Sequence, residues 1–324
     1  MTLNSNSIFN IETAEQFQLS AMDLFNFQRN HCGIYRAYCD LILKEKRPTE
    51  ISEIPFLPIQ FFKSHKVTSR DFEPEVIYTS SGTTENIQSK HFVRQKNWYL
   101  EVCKKAFELQ YGPLKGYRIL ALLPSYLERE GSSLIDMVEY FISESDKEMG
   151  GFYLNHKDQL IQELQKPFKG KTLLIGVTFG LLDFAENSSI DLSKTVVMET
   201  GGMKGRRREL VRDEVHLQLS KSFSVDEIHS EYGMTELLSQ AYSKGKGIFD
   251  TSPWMKILVR QTTDPFSYCA NGKTGGINVI DLANVDSCGF IQTQDLGKMH
   301  ENGTFEVLGR FDESDVRGCN LMIQ

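Results

Sequence analysis

A hydroxyl-rich turn near residue 78 has the composition of a phosphate-binding loop. It reads Tyr78-Thr79-Ser80-Ser81-Gly82-Thr83-Thr84 and directly follows the short apolar stretch Val76-Ile77. Backbone N–H groups around a glycine, together with hydroxyl donors, can surround an anion without adding bulk. Runs of Ser, Thr and Gly also form ordinary surface loops, so this segment alone supports either interpretation.

Three later segments carry residue types that suit a nucleotide site, and they occur in a fixed order. Together they supply an aromatic face, tight turns, a hydroxyl, carboxylates and a cation. The segments are Glu231-Tyr232-Gly233-Met234-Thr235-Glu236, Thr293-Gln294-Asp295-Leu296-Gly297 and Gly309-Arg310-Phe311-Asp312. Each one alone is more typical of a turn or a helix cap. Their combination indicates a nucleotide site that includes the turn at residue 78.

This ordered set resembles the adenylate-forming superfamily, which includes the acyl- and aryl-CoA ligases, from about Tyr78 to the end of the chain. Two further segments, Glu199-Thr200-Gly201-Gly202 and Arg317-Gly318-Cys319-Asn320-Leu321, make it most similar to the LuxE-type acyl-protein synthetases. The resemblance implies an α/β fold with parallel sheets flanked by helices and a C-terminal distorted β-barrel-like subdomain. It also implies that the mobile C-terminal domain of longer members is absent.

The resemblance implies that ATP and Mg²⁺ activate a carboxylic acid, expected to be a fatty acid, as acyl-AMP. Tyr232 would stack on adenine, Thr235 would hydrogen-bond the α-phosphate, and Glu236 would ligate Mg²⁺. The turn would hold the β- and γ-phosphates through five residues, which are Ser80, Ser81, Gly82, Thr83 and Thr84.

The same resemblance assigns the remaining nucleotide contacts. Gly201 and Gly202 would let the backbone approach the adenine plane, because glycine has no side chain there. Asp295 would accept both ribose hydroxyls, and Arg310 would lie over the ribose and phosphate. An ionised carboxylate has only acceptors, which suits Asp295 to this role.

Two features depart from the superfamily pattern. The phosphate turn continues with Glu85 and not with the usual Gly-x-Pro-Lys, so the nearest lysine is displaced to Lys90. The lysine that the mobile domain of longer relatives supplies at the α-phosphate has no counterpart. Lys204, Arg310 or a partner subunit could supply that cation, or adenylation could be slow.

The acyl acceptor is expected to be a thiol, and Cys319 is the candidate within this chain. LuxE-type proteins are thought to carry the acyl group on a cysteine near the C-terminus, and Arg317 would favour the thiolate. The alternative is that Cys319 is a small buried hydrophobe. Cys288 is predicted to be a core residue, and His229 either orients the carboxylate or is a structural histidine.

Several alternatives to an acyl-protein synthetase remain open at this point. An acyl- or aryl-CoA ligase would turn over with CoA, whereas a non-catalytic nucleotide- or acyl-binding scaffold would bind ATP without releasing pyrophosphate. A further possible partner is an acyl-acceptor protein, such as a reductase or a carrier. An ATP-independent hydrolase is disfavoured, because the sequence shows no Ser/His/Asp order.

Composition narrows the class of protein further. The chain has 324 residues, 40% of them hydrophobic, and a formal net charge of -7, which disfavours a nucleic-acid partner. Six cysteines without CxxC pairs argue against a disulfide framework or a zinc site. A secretory signal and an apolar run of membrane-spanning length are both missing, so a cytoplasmic protein without an integral membrane segment is expected.

The periodicity of apolar residues predicts the elements that position these segments. Helical spacing indicates a helical N-terminal lobe over residues 1–60, and alternating helices and strands predict an α/β adenylate-forming core over residues 61–250. Continuous apolar runs at residues 119–123, 172–176 and 195–198 are typical of buried parallel strands. Short strands between Gly, Asn and Asp turns predict a β-rich subdomain over residues 251–324, ending at the hinge motif.

Overall fold

The computed structural model describes residues 5–80, 87–124, 131–146, 150–188, 190–201 and 210–311, which form eight α-helices and fourteen β-strands. The helices are α1 Ala14–His31, α2 Gly33–Leu43, α3 Phe61–Ser64, α4 Lys96–Tyr111, α5 Ser133–Glu144, α6 Lys157–Gln165, α7 Thr178–Asn187 and α8 Arg212–Phe223. The strands are β1 Leu57–Pro58, β2 Val76–Thr79, β3 Lys90–Val93, β4 Tyr117–Leu122, β5 Gly151–Phe152, β6 Lys171–Val177, β7 Thr195–Thr200, β8 His229–Tyr232, β9 Ala241–Ser243, β10 Ile248–Asp250, β11 Met255–Arg260, β12 Gly275–Asp281, β13 Phe290–Met299 and β14 Phe305–Arg310.

The chain divides into two compact units. The central unit comprises Phe62–Lys66 and Asp71–Ser252, and the terminal unit comprises Met1–Phe61, Val67–Arg70 and Pro253–Gln324. The residues predicted as a helical N-terminal lobe and those predicted as a β-rich subdomain therefore fall in the same unit.

The central unit is built on a sheet in the order β10-β9-β8-β7-β6-β4-β5. Strands β5, β4, β6, β7 and β8 are parallel to their neighbours, whereas β9 and β10 are antiparallel. Every residue of β4 is buried, as expected for a parallel strand with both faces covered. The three predicted apolar runs lie in β4, β6 and β7 or extend one residue past them, so the α/β fold is confirmed.

Helices cover this sheet through large apolar side chains. Helices α7 and α8 pack on it through a cluster that includes Leu181, Phe184, Leu219 and Phe223. Phe107 of α4 contacts the rings of three other residues, which are Tyr117, Phe141 and Tyr242. The contact with Tyr242 joins α4 to β9, although the two elements are far apart in sequence. These contacts therefore position the strands that follow β8.

A separate hairpin in the central unit carries the predicted phosphate turn. Strands β2 and β3 pair antiparallel from Val76↔Val93 to Thr79↔Lys90. Pairing continues past the strands, because the Ser80 amide donates to the Ser89 carbonyl at 3.1 Å and the Ser89 amide donates to Ser80 Oγ at 3.0 Å. The hairpin therefore holds both ends of the turn, while Ser81, Gly82, Thr83 and Thr84 lie outside the described residues.

The terminal unit contains the antiparallel sheet β11-β12-β13-β14, with β1 added in parallel to β13. Helix α1 begins with a capping box between Thr13 and Gln16, and its buried Gln28 side chain accepts from the Gly289 amide at 2.9 Å. The residues predicted to form a β-rich subdomain include strands β11 to β14, and the predicted barrel-like closure stays a prediction. None of the helices in the described part of the chain is long and apolar enough to cross a membrane.

Candidate functional site

The predicted site segments of the central unit meet at the carboxyl ends of two parallel strands. Strands β7 and β8 pair with the register Glu199↔Ser230 and Thr200↔Glu231. This register places Gly201, which directly follows β7, and Tyr232, the last residue of β8, at the same edge of the sheet. Gly201 has a φ of +75°, a left-handed conformation that favours glycine. Gly202 lies outside the described residues.

Glu199 is a buried carboxylate that side chains from the two helices α7 and α8 hold in place. Its oxygens accept from the Thr178 hydroxyl at 2.9 Å and lie 3.6 Å from Arg212 Nε and 3.8 Å from His216 Nε2. Burial favours the neutral acid, but the His216 hydrogen bond, the Arg212 charge and nearby hydroxyls outweigh it and lower the pKa of Glu199. Glu199 is therefore an ionised group buried behind the Gly201 turn.

Glu231 is a second buried carboxylate in the adjacent strand, with different partners. Its Oε2 accepts from the Thr200 hydroxyl, and its Oε1 lies where a Cβ on residue 233 would be, so glycine is needed there. Burial raises the pKa of Glu231 to about 7, the Thr200 hydrogen bond opposes the rise, and the charge of Glu199 adds to it. Glu231 belongs to a motif identified in the sequence, but the sequence predicted no role for it.

Tyr232 is the last residue of β8, and Thr235 and Glu236 follow it in a tight turn, not in a helix. The Tyr232 side chain is largely buried, at 8% exposed, and its ring meets Phe249 edge to face at 6.0 Å. Glu236 is 4% exposed, and the turn is closed by a hydrogen bond from the Leu237 amide to the Met234 carbonyl at 3.1 Å. The helix-cap alternative for Glu236 is therefore wrong, because no helix begins there.

The Thr235 backbone is tied to the hairpin that carries the phosphate turn. His91 Nδ1 in β3 lies 2.8 Å from the Thr235 carbonyl oxygen, and His91 is buried. Nothing in the sequence pattern pointed to His91, because the two residues are 144 positions apart. A lone buried histidine next to a site motif can be found only once the fold brings the two segments together.

His229 lies within β8, three residues before Tyr232, and its ring faces a tyrosine. Its Nδ1 is 3.1 Å from the Tyr111 hydroxyl. Burial lowers the pKa of His229, and the nearby Lys244 charge lowers it further. These contacts support the structural alternative for His229, since a half-buried histidine with a tyrosine partner already has a hydrogen-bond partner.

The terminal unit carries the other two described candidates, Asp295 and Arg310, as a facing pair. They are register partners in β13 and β14, and Arg310 Nε lies 3.2 Å from Asp295 Oδ1. The Arg310 side chain is 79% exposed, whereas that of Asp295 is 10% exposed. Asp295 is held further by its amide, which donates to Thr293 Oγ1 at 3.1 Å.

Arg260 is a buried cation beside this pair that the sequence did not reveal. Its guanidinium donates to the Ile277 and Thr293 carbonyls at 2.8 and 2.7 Å. Gly276 lies beneath it, and a Cβ at that position would overlap the guanidinium. Arg260 therefore orders the end of β13 that leads to Asp295.

Of the remaining candidates, only Cys288 lies in the part of the chain that the structure describes. Cys288 is buried and its pKa is raised well above the ordinary value, mainly by burial, as predicted for a core cysteine. Cys319, Asp312, Lys204 and Glu85 lie outside the described residues.

The described residues hold no cluster that could bind a metal ion by itself. No group of three or more His, Cys, Asp or Glu side chains in the described ranges could do so. Mg²⁺ usually keeps several waters and takes one or two carboxylates plus substrate phosphates, not an all-protein cage. The buried carboxylate of Glu236 is the type of ligand that such a site uses.

The fold is that of the adenylate-forming enzymes. A 2-hydroxyisobutyryl-CoA ligase in complex with 2-HIB-AMP and CoA matches with a TM-score of 0.63 at 10% identity, covering 97% of this chain and 80% of that one. ATP-bound MatB from Rhodopseudomonas palustris matches with a TM-score of 0.55 at 17% identity, over 74% of this chain and 49% of that one. A luciferase-like enzyme from the mealworm Zophobas morio matches with a TM-score of 0.50 at 17% identity, over 75% of this chain and 60% of that one.

A curated protein matches a short part of the chain in sequence. The chain is 40% identical over 63 residues to the long-chain-fatty-acid--luciferin-component ligase of Photorhabdus luminescens, which is 19% of this chain and 54% of the relative. The match therefore spans about half the length of the curated relative. No family model matches the chain.

Proposed function

We propose that the protein is an adenylate-forming ligase that converts a carboxylic acid and ATP to acyl-AMP and pyrophosphate. The observation that carries this proposal is the position of segments 199–201 and 231–236, which follow the carboxyl ends of neighbouring parallel strands. Ligands of open α/β sheets bind at such edges. A substrate carboxylate oxygen attacks the α-phosphorus, the bond to the bridging oxygen breaks, and pyrophosphate leaves with that electron pair.

Each motif has a part in this step. Thr235 donates to the α-phosphate, and Glu236 would hold Mg²⁺, which when bound would neutralise charge on the phosphates. Tyr232 and the Gly201-Gly202 turn bind adenine. Because Tyr232 is largely buried, adenine would lie against its accessible edge and the adjacent glycine backbone.

The other nucleotide contacts come from the phosphate turn and the terminal unit. The turn residues that bind the β- and γ-phosphates are Ser80, Ser81, Gly82, Thr83 and Thr84. Asp295 accepts hydrogen bonds from the ribose hydroxyls, and Arg310 lies over the ribose and phosphate. The partial exposure of the Asp295–Arg310 pair supports this role, since an exposed guanidinium can exchange partners at low cost.

We further propose that the acid is a fatty acid and that a protein thiol takes the acyl group. The 63-residue match to a long-chain fatty acid ligase supports this choice. A thiolate attacks the acyl carbonyl carbon, the bond to the phosphate oxygen breaks, and AMP leaves. The thiol is Cys319 or belongs to an acyl-acceptor protein, such as a reductase or a carrier.

A second candidate is an acyl-CoA ligase. The fold match to 2-hydroxyisobutyryl-CoA ligase, a structure that contains CoA, favours this alternative. The two candidates share the adenylation step and differ only in the thiol that accepts the acyl group.

The test measures pyrophosphate release from Mg²⁺·ATP across a panel of carboxylic acids, with and without CoA, and follows labelled acid onto protein. Acid-dependent pyrophosphate release is expected, with label on the wild type but not on Cys319→Ala. Cys269→Ala is the matched control, because Cys269 is a partly exposed thiol. Release that requires CoA would support the second candidate, and no release with any acid would contradict both.

A further inference from the structure

A single histidine connects the two segments that act on the phosphates in the proposed reaction. His91 lies in β3, on the hairpin whose turn contains Ser80, and it is 1% exposed. Its Nδ1 is 2.8 Å from the carbonyl oxygen of Thr235. A carbonyl oxygen only accepts, so His91 Nδ1 carries the hydrogen in this contact.

The His91 ring is held from several directions. Phe62 meets it edge to face, with ring centroids 5.8 Å apart. The backbone of His91 pairs with Tyr78, whose hydroxyl donates to Asp136 at 2.8 Å. Lys96 also lies 2.8 Å from Asp136, so the strand opposite His91 is tied to both α4 and α5. Because close packing leaves a buried ring little room to turn, its hydrogen bond keeps one direction.

This hydrogen bond constrains both Thr235 and Glu236. The carbonyl of Thr235 and the amide of Glu236 belong to one planar peptide unit. Fixing the direction of that carbonyl therefore restricts ψ of Thr235 and φ of Glu236, and so the directions in which the Thr235 hydroxyl and the Glu236 carboxylate leave the backbone. Lys90, which directly precedes His91 in β3, and Ser89 connect His91 to the phosphate turn along the chain.

We propose that His91 is a positioning residue that fixes Thr235 and Glu236 relative to the phosphate turn. The inference rests on the proposed function, because it assigns a purpose to the contact within the adenylation site. A shift of either segment would separate the groups that hold the triphosphate from those that act at the α-phosphorus. Losing this contact should therefore slow the chemical step more than it weakens binding of the acid.

The test compares His91→Asn with His91→Gln in the full-length chain. The Asn amide nitrogen is attached to Cγ, as Nδ1 is in histidine, whereas the Gln amide is one bond farther out. His91→Gln is expected to lower kcat for acid-dependent pyrophosphate release about 10- to 100-fold, as for other outer-shell partners. KM for the acid should change less than about 3-fold, and His91→Asn should stay within about 5-fold of the wild-type kcat.

Equal melting temperatures of the two variants would show that a difference in kcat between them does not come from a difference in folding. Parallel losses of kcat in both variants, or wild-type kcat in His91→Gln, would overturn the inference. Thermal stabilisation by Mg²⁺·ATP gives a second readout that does not need turnover. His91→Gln should reduce that stabilisation and His91→Asn should preserve it, and equal stabilisation of both would overturn the inference.

These measurements also separate this inference from the proposed function. A wild type that is stabilised by Mg²⁺·ATP yet releases no pyrophosphate with any acid would contradict the proposed function. The binding comparison between the two variants would then decide the role of His91 alone.

Discussion

The two units hold their candidate site residues in different ways. In the central unit, Glu199 and Glu231 are buried and bonded to neighbouring side chains, and the Thr235 carbonyl is fixed by His91. In the terminal unit, Asp295 is paired with Arg310, whose side chain is 79% exposed. The central unit therefore fixes its groups before any ligand arrives, whereas Arg310 can exchange its partner.

This difference follows from the kind of sheet that each unit contains. Parallel strands covered by helices bury the side chains at their ends, so every polar group there needs a protein partner. Antiparallel strands can keep one face in water, and an exposed ion pair there costs little to break.

The largest effect expected is on Glu236, because this buried carboxylate is the proposed Mg²⁺ ligand. Glu236→Gln should lower acid-dependent pyrophosphate release at least about 100-fold, as expected when several kcal/mol of charge stabilisation is lost. The melting temperature should change little, since Gln has nearly the same shape. Glu139→Gln, an exposed position on α5, is the control. Full activity of Glu236→Gln would refute the metal assignment.

Asp295 should show a smaller effect and a different kinetic signature. Asp295→Asn should raise KM for ATP about 10-fold or more, because hydrogen bonds to a charged acceptor are worth about 1.5–3 kcal/mol each. The maximal rate should change less than KM. Steady-state kinetics with varied ATP measures both, and Glu301→Gln in a nearby exposed turn is the control. An unchanged KM for ATP would argue against ribose binding by Asp295.

Glu231 should affect stability in a pH-dependent manner. Its pKa is raised to about 7 in the folded protein, so its favourable contribution is complete below its ordinary pKa near 4.3 and is lost as pH rises through 7. Between about pH 4.3 and pH 7 the wild type should lose up to about 1.4 kcal/mol of unfolding free energy per pH unit relative to Glu231→Gln, because only the unfolded state is ionised there. Urea unfolding at about pH 5 and pH 8 measures this difference. Parallel pH profiles of the two proteins would contradict the burial of an ionisable Glu231.

Arg310 should have the smallest effect on stability. An exposed ion pair contributes about 0–1 kcal/mol, so Arg310→Ala should leave the unfolding free energy within about 1 kcal/mol of the wild type. Denaturant unfolding without nucleotide measures this. A loss above about 2 kcal/mol would mean that the Asp295–Arg310 pair is as fixed as the carboxylates of the central unit, and the contrast between the units would fail.

Local patterns in the sequence were sufficient to predict three strands of the central unit and the short strands of the terminal unit. Continuous apolar runs indicate buried parallel strands because both faces are covered, and β4, β6 and β7 are of this kind. Short strands between turn residues likewise indicated the antiparallel sheet of the terminal unit. These signals depend only on neighbours in sequence, so they can be read without the fold.

The contacts that hold the site residues in place could not be predicted, because they depend on how segments distant in sequence pair with each other. The Glu231–Thr200 contact requires β7 and β8 to pair in one register, and the His91–Thr235 contact joins segments 144 positions apart. The burial of Arg260 likewise depends on β11, β12 and β13 packing together. Composition marks such residues only as polar, and polar residues are usually on the surface.

The most direct test of the account is exchange of labelled pyrophosphate into ATP in the absence of any thiol acceptor. Exchange requires reversible formation of acyl-AMP, so it isolates the adenylation step from acyl transfer. The account predicts exchange that depends on both a carboxylic acid and Mg²⁺, and its loss in Glu236→Gln. Binding of ATP with no acid-dependent exchange across a panel of acids would contradict the assignment of the protein as an adenylate-forming enzyme.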